Sequence, residues 1–384
     1  MDRYLLHRII FRICHFFAVP FLRLKFRYSY DPIPDMKGPY LLLANHNTDF
    51  DPLFIGAACP TQMYFVATEK ILRMGFLSSL VMALFQPIIH YKGKTGISSV
   101  KEILHKLKEG KNVALFPEGN RSFNGLTGEF VPATGKMAKR SGAALITYRL
   151  HGGYFTSPRW SAGLRRGRMR GEVAHVYTPE VLKDMTEKEI NEAIRNDLQM
   201  DAYEEQKRDP IPYEGSDLAL GLESTLFACP KCGKISSLHS SGNTLSCTLC
   251  DFSAEYDVYG YLKDSEGKDY TITDLDARQR KLVKELAALP PEEILFHDSI
   301  TVETIGSSHE VVSKEIMEIR AYSDRLEIGD RSLPFEAISG MAINQRNLLI
   351  IHCADESHLE LSGEISFSAL KYLYLYQSTG KTNE

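Results

Sequence analysis

The sequence points to an α/β domain entered through a basic and apolar helix, then a small cysteine-bearing unit, then a β-rich C-terminal domain. Three observations carry this. Between residues 31 and 212, short apolar runs alternate with amphipathic stretches of helical period. Two Cys-x-x-Cys pairs fall between 213 and 262. From Ile294 onward within 263–384, strand-like runs alternate with turns. With 384 residues, 43% hydrophobic and 24% charged, the chain has an ample core and is not disordered.

The first segment, 1–30, interleaves Arg3, Arg8, Arg12, Arg23, Lys25 and Arg27 with Leu, Ile, Phe and Tyr. Its longest run free of Lys, Arg, Asp and Glu is Ile13 to Leu22, half of the ~20 residues a spanning helix needs. Phe16-Phe17-Ala18-Val19-Pro20 supplies neither the apolar core nor the cleavage site of a secretory signal. The pattern fits an amphipathic helix lying in a membrane interface and interrupted at Pro20. A helix packed on its own domain is the other reading.

In the α/β domain, Tyr40-Leu41-Leu42-Leu43-Ala44 reads as a buried strand ending at Asn45-His46. Asp51 to Ala58 reads as a helix with Pro52 in its first turn. Ser98 or Ser99 can cap a helix whose Val100, Ile103, Leu104 and Leu107 share a face, stopped at Gly110. Asn112-Val113-Ala114-Leu115-Phe116 is the next strand, and Ala143 to Tyr148 another. Thr186-Glu187-Lys188-Glu189 opens a helix as a capping box, and Asp209-Pro210-Ile211-Pro212 ends the domain. In such sheets, function sits on the loops at the strand ends.

Charge divides the chain. Residues 1–180 hold 25 Lys and Arg against 12 Asp and Glu, a net of +13, whereas 181–384 hold 20 against 37, a net of −17. The basic half suits an anionic partner such as phospholipid, nucleic acid or a phosphorylated small molecule. The acid-free stretch 130–171 carries nine basic residues, including Arg165, Arg166 and Arg168. It suits either a surface for phosphates or a solvated basic face.

Two constellations carry chemistry. His46 closes a strand and Asp51 lies five residues on, so a turn can bring the carboxylate to one imidazole nitrogen. The other nitrogen can then take a proton from a hydroxyl. Taken singly, the pair also fits a structural histidine at a strand end. Phe116-Pro117-Glu118-Gly119-Asn120-Arg121-Ser122 follows the next strand. There Gly119 permits close backbone approach, the Arg121 fork matches phosphate oxygens, and Glu118 can hold a polyol hydroxyl. A plain turn with a surface Arg–Glu pair accounts for these residues one at a time, but not for two such groups at adjacent strand ends.

Asn45-His46-x4-Asp51 followed by Phe116 to Ser122 resembles the glycerolipid acyltransferase family, typified by 1-acyl-sn-glycerol-3-phosphate acyltransferase, over roughly residues 25–200. The resemblance implies a membrane-associated α/β domain that moves a fatty acyl group from a thioester to a glycerol-phosphate hydroxyl. It makes His46 the general base and Asp51 its partner, and gives Glu118, Gly119 and Arg121, with Ser122 beside them, to acceptor binding. The donor would be acyl-CoA or acyl carrier protein. The acceptor would be a lysophospholipid, 1-acylglycerol-3-phosphate foremost, giving phosphatidate. No Ser or Cys nucleophile stands beside His46, so no acyl-enzyme is implied. Two family features depart. In Pro87-Ile88-Ile89-His90-Tyr91-Lys92, Lys92 stands where an arginine is usual, and Leu145-Ile146-Thr147-Tyr148-Arg149 lacks the usual proline.

Cys229-Pro230-Lys231-Cys232 and Cys247-Thr248-Leu249-Cys250 are spaced to close a tetrahedral zinc site of four thiolates. With no open coordination position, that zinc would be structural. The unit, 213–262, resembles a zinc ribbon. It lies in the acidic half, which repels a polyanion, so nucleic acid is an unfavourable partner and protein docking a better one. The scattered Cys14, Cys59 and Cys353 fit buried thiols in a reducing compartment, placing the chain peripherally on a cytoplasmic membrane face. The last segment, 263–384, resembles a pleckstrin-homology-like barrel on strand count and a closing helix alone. His297-Asp298 is no second catalytic pair, because adjacent strand residues point to opposite faces. Two other functions compete with the acyltransferase: a membrane-tethered zinc-ribbon adaptor, and nucleic-acid binding by the basic half.

Overall fold

The computed structural model describes residues 3–73, 75–91, 96–306 and 310–380. The chain divides into two compact units. One runs to Tyr213 without 159–164, and the other takes in 159–164 and the chain from Glu214 onward.

The first unit opens with α1 (Arg3–Phe26) and β1 (Ser29–Tyr30). Then come β2 (Tyr40–Ala44), α2 (Asp51–Ala58), β3 (Met63–Thr68), α3 (Phe76–Phe85), β4 (Ile88–His90), α4 (Ile97–Lys108) and β5 (Asn112–Leu115). It finishes with α5 (Ala133–Ser141), β6 (Ala144–His151), α6 (Gly153–Thr156), β7 (Arg170–Tyr177), α7 (Pro179–Asp184), α8 (Glu187–Leu198) and α9 (Ala202–Arg208). The strands form one sheet in the order β1-β7-β6-β2-β5-β3-β4, parallel except that β7 runs against β6.

Strand β2 is buried at every residue, as a central parallel strand covered on both faces must be. Its alternation divides the core. Tyr40, Leu42 and Ala44 join Ile146, Tyr148, Leu22, Phe26, Phe54 and Ile55 under α1 and α2. Leu41 and Leu43 join Val113, Leu145, Ile103, Leu107, Met137, Ile190 and Ile194 under α4, α5 and α8. Helices therefore cover both faces, leaving the strand ends for the site.

Several local expectations meet the structure directly. Helix α2 begins at Asp51 with Pro52 in its first turn, and Thr186 and Glu189 close a capping box on α8. Two differ. Helix α1 continues through Pro20. Its docked side, with Leu22 and Phe26 buried, His7 on the Tyr64 hydroxyl and His15 on the Ala57 carbonyl, holds it on course. The segment Tyr4–Phe26 is long and apolar enough, by length and composition, to cross a membrane. Helix α4 is capped by Gly96 and not by serine, since the Ser99 hydroxyl points back to the Gly96 carbonyl at 2.9 Å.

The second unit carries an antiparallel five-stranded sheet: β8 (Leu238–Ser241), β9 (Thr244–Cys247), β10 (Ser253–Tyr256), β11 (Leu262–Asp264) and β12 (Asp269–Tyr270). Helix α10 (Ile272–Leu286) leads to β13 (Phe296–Ile305), β14 (Val311–Ala321), β15 (Arg325–Ile328), β16 (Arg331–Pro334), β17 (Ile338–Asn344), β18 (Leu348–Cys353) and β19 (His358–Ser362). These seven form a second antiparallel sheet in the order β16-β15-β14-β13-β19-β18-β17, followed by α11 (Ala369–Ser378). Asp298 accepts from the buried Lys371 ammonium at 2.7 Å and from the Tyr372 hydroxyl at 2.6 Å, while His297 lies against Glu318. The two adjacent residues do face opposite ways.

Candidate active site

The site forms where β2 and β5, paired in parallel with Leu43 opposite Leu115, both end. Asn45 fixes the end of β2 on β6, its side-chain amide donating to the Leu150 carbonyl at 2.9 Å and accepting the Leu150 amide at 2.7 Å. The next turn folds back onto α2. Asp51 is fully buried at the start of that helix, where the backbone dipole favours a carboxylate. Its Oδ2 accepts the His46 Nδ1 proton at 2.8 Å and the Asn47 and Thr48 amides at 2.7 and 2.9 Å. Its Oδ1 accepts the Thr48 hydroxyl at 2.7 Å. With Nδ1 donating, the neutral imidazole presents Nε2 as an acceptor. The ring also stacks on Phe116, with centroids 4.2 Å apart and planes 15° from parallel. Hydrogen bond and stacking together fix both its position and its tilt.

The loop after β5 is laced to this turn. Glu118 Oε1 accepts the His46 amide at 2.7 Å, Oε2 accepts the Gly128 amide at 2.6 Å, and the Ser122 amide donates to the His46 carbonyl at 3.0 Å. Burial pushes the Glu118 carboxyl up to about 8, with the Gly128 and His46 amides pulling the other way and the Asp51 charge adding to the rise. Gly119 turns the chain at φ +65°, a left-handed conformation that favours glycine. Ser122 is buried, its hydroxyl donating to the Leu126 carbonyl and accepting the Gly125 amide. Arg121 pairs with Asp49, a residue inside the His46–Asp51 turn, and reaches the Ser157 carbonyl at 3.5 Å.

His46 and Gly119 line a cleft of about 200 Å³ whose walls are mostly apolar, including Val66, Val100, Ile103, Leu115 and Met137. Thus His46, Asp51, Glu118, Gly119, Arg121 and Ser122 come together, but in three ways. Gly119 faces the cleft, Arg121 faces a carboxylate, and Glu118 and Ser122 turn toward backbone. Lys92 lies outside the described residues. The sequence reading gave no role to Asn45 and Phe116, although both stand in its motifs, and left out Asp49 and the Gly128 amide. It missed the cleft residue His90 as well, whose Nδ1 lies 3.2 Å from the Ser99 hydroxyl.

The basic stretch is largely spent internally. Lys139 bonds the Met185 carbonyl, Arg149 the Asp197 carbonyl, Arg168 pairs with Asp209 and Arg170 with Glu172. Arg165 is buried. In the second unit, Arg159 donates to the Gln345 and Ile343 carbonyls.

Also in the second unit, the sulfurs of Cys229, Cys232, Cys247 and Cys250 all lie within 4.8 Å of one another. Cys229 and Cys250 are 3.6 Å apart, Cys232 and Cys247 3.8 Å. A disulfide would need ~2.05 Å. Four thiolates on a tetrahedral metal at ~2.3 Å sit about 3.8 Å apart. The cluster fits a metal ion and does not fit two disulfides.

Residues 25–151 match the family model described as Acyltransferase. A curated 1-acyl-sn-glycerol-3-phosphate acyltransferase of Borreliella burgdorferi is 25% identical over 118 residues, covering 30% of this chain and 46% of that protein. The chain thus spans about half the length of that relative. The crystal structure of the 1-acyl-sn-glycerophosphate acyltransferase PlsC from Thermotoga maritima overlays with a TM-score of 0.43 at 16% identity, over 52% of this chain and 80% of that one. The segment 25–151 that matches the acyltransferase family model holds His46, Asp51, Glu118 and Arg121.

Proposed function

We propose that the chain transfers a fatty acyl group from acyl-CoA or acyl carrier protein to the free hydroxyl of a lysophospholipid, 1-acylglycerol-3-phosphate foremost, giving phosphatidate. The observation that carries this is the His46–Asp51 pair, hydrogen-bonded at 2.8 Å, with His46 lining an apolar cleft. Nε2 of His46 takes the hydroxyl proton as the oxygen attacks the thioester carbonyl. The tetrahedral adduct then expels the thiolate, which recovers the proton from the imidazolium. Asp51 holds the tautomer and offsets the imidazolium charge. Such general-base help contributes ~10²–10⁴-fold, and fixing the two substrates supplies much of the rest. Arg121 is the ligand for the acceptor's phosphate, with Gly119 leaving room beside it; Lys92 is a second cation for the same group.

The four cysteines hold a structural zinc, supported by their spacing and their sulfur separations. In this reading the catalytic domain is 31–212, the zinc ribbon 213–262, and the last β-rich domain, 263–384, a pleckstrin-homology-like module. The exposed face of α1, with Phe16 72% and Leu24 85% accessible, rests on a cytoplasmic membrane surface. The test is acyl transfer by the purified chain to a panel of lysophospholipids with both donors, beside His46→Ala. Transfer to 1-acylglycerol-3-phosphate that falls at least a hundredfold in the variant supports the reading. Equal rates remove His46 as the base, and inactivity with every lysolipid removes the activity.

A further inference from the structure

The turn between His46 and Asp51 holds two carboxylates with opposite fates. Asp51 is wholly inside, both its oxygens accepting hydrogen bonds from His46, Asn47 or Thr48. Asp49 stands outside. Its side chain is 76% exposed, and it lies against the guanidinium of Arg121, which is only 12% exposed. So an exposed acid covers a nearly buried base. That base stands in the loop after β5, whose end lies beside the end of β2 where His46 follows.

A guanidinium fork takes a carboxylate and a phosphate through the same N–H···O geometry. Asp49 therefore presents its oxygen where an oxygen of a bound anion would lie. We propose that Asp49 is a resident anion on Arg121, holding the guanidinium in place until the acceptor's phosphate displaces it. The proposal rests on the acceptor role given to Arg121 above and assigns to Asp49 a part in setting acceptor affinity. Binding then exchanges one ion pair for another. The incoming phosphate gains a preformed cation but must displace a neighbour of its own sign. An exposed pair is weak, which keeps the exchange reversible.

Asp49→Asn keeps the shape and removes the charge. The acceptor KM for 1-acylglycerol-3-phosphate should fall about two- to fivefold, the worth of an exposed ion pair, while the donor KM stays put. In an Arg121→Ala background the same substitution should have no effect on acceptor KM, because nothing remains to be uncovered. An acceptor KM that is unchanged or raised in Asp49→Asn overturns the proposal, as does an equal fall in the Arg121→Ala background. A titration of glycerol 3-phosphate into the full chain by calorimetry separates this from the function itself. Should the wild-type chain acylate no lysophospholipid, the proposed activity fails, and the calorimetric comparison still decides Asp49: tighter binding by Asp49→Asn supports it, equal or weaker binding refutes it.

Discussion

Glu118→Gln separates two roles for a residue at the centre of the site. Family resemblance gives Glu118 to the acceptor, yet its two oxygens accept the His46 and Gly128 amides at 2.7 and 2.6 Å. Glutamine keeps the size but offers one carbonyl oxygen and one NH2. One amide retains its acceptor, and the other meets a donor. Leaving one such group unsatisfied costs about 1–3 kcal/mol. If that loss falls on the placement of His46 in the transition state, kcat drops roughly 5- to 150-fold. This reaches at most the lower end of the ~10²–10⁴-fold of losing the base, because Asp51 and Phe116 still hold the ring. The assay is steady-state acyl transfer with donor and acceptor varied independently. A positioning role lowers kcat and leaves the acceptor KM within twofold. An acceptor KM raised tenfold with kcat retained would refute the reasoning and return Glu118 to the substrate.

Asp51→Asn should cost kcat at least a hundredfold with little change in either KM, since the amide can hold the wrong imidazole tautomer; steady-state kinetics at saturating substrates checks it. Glu118, raised from its ordinary range to about 8 by burial, favours the protonated form in the folded chain. Its contribution to stability is therefore full below the unfolded value and is lost as pH rises through about 8, so the thermal midpoint should decline across that range and Glu118→Gln should flatten the decline. The purified chain should carry one zinc by elemental analysis, and a strong chelator should lower the melting temperature of 214–384; Cys229→Ser with Cys232→Ser should lose the metal. Phe16→Glu with Phe17→Glu should release the chain from anionic vesicles in a sedimentation assay, because each apolar side chain withdrawn from the bilayer forfeits about 1.5–3 kcal/mol.

Much of the fold was legible because its signals are local. The apolar run at 40–44, the Asp-Pro opening of α2 and the capping box at Thr186 each report a backbone period or a terminal hydrogen bond within a few residues. His46 and Asp51 are five apart, so their contact is a property of one turn. Pro20 misled the reading because its local preference for a break yields to the docking of α1 through His7, His15 and Leu22. Ser99 misled it because its hydroxyl turned to His90 and Gly96.

By itself, then, the sequence determined the layered class of the first unit, the four-thiol cluster and the pairing of His46 with Asp51, since each depends on spacing along the chain. Only the tertiary structure decided what Glu118 and Arg121 touch. Their partners His46 and Asp49 lie 72 residues away in each case and become neighbours because β2 and β5 pair in parallel and end together. A carboxylate that could hold a hydroxyl thereby holds a backbone amide, and an arginine that could wait for phosphate is already met by an acid. Sheet order, which no local period encodes, made that choice.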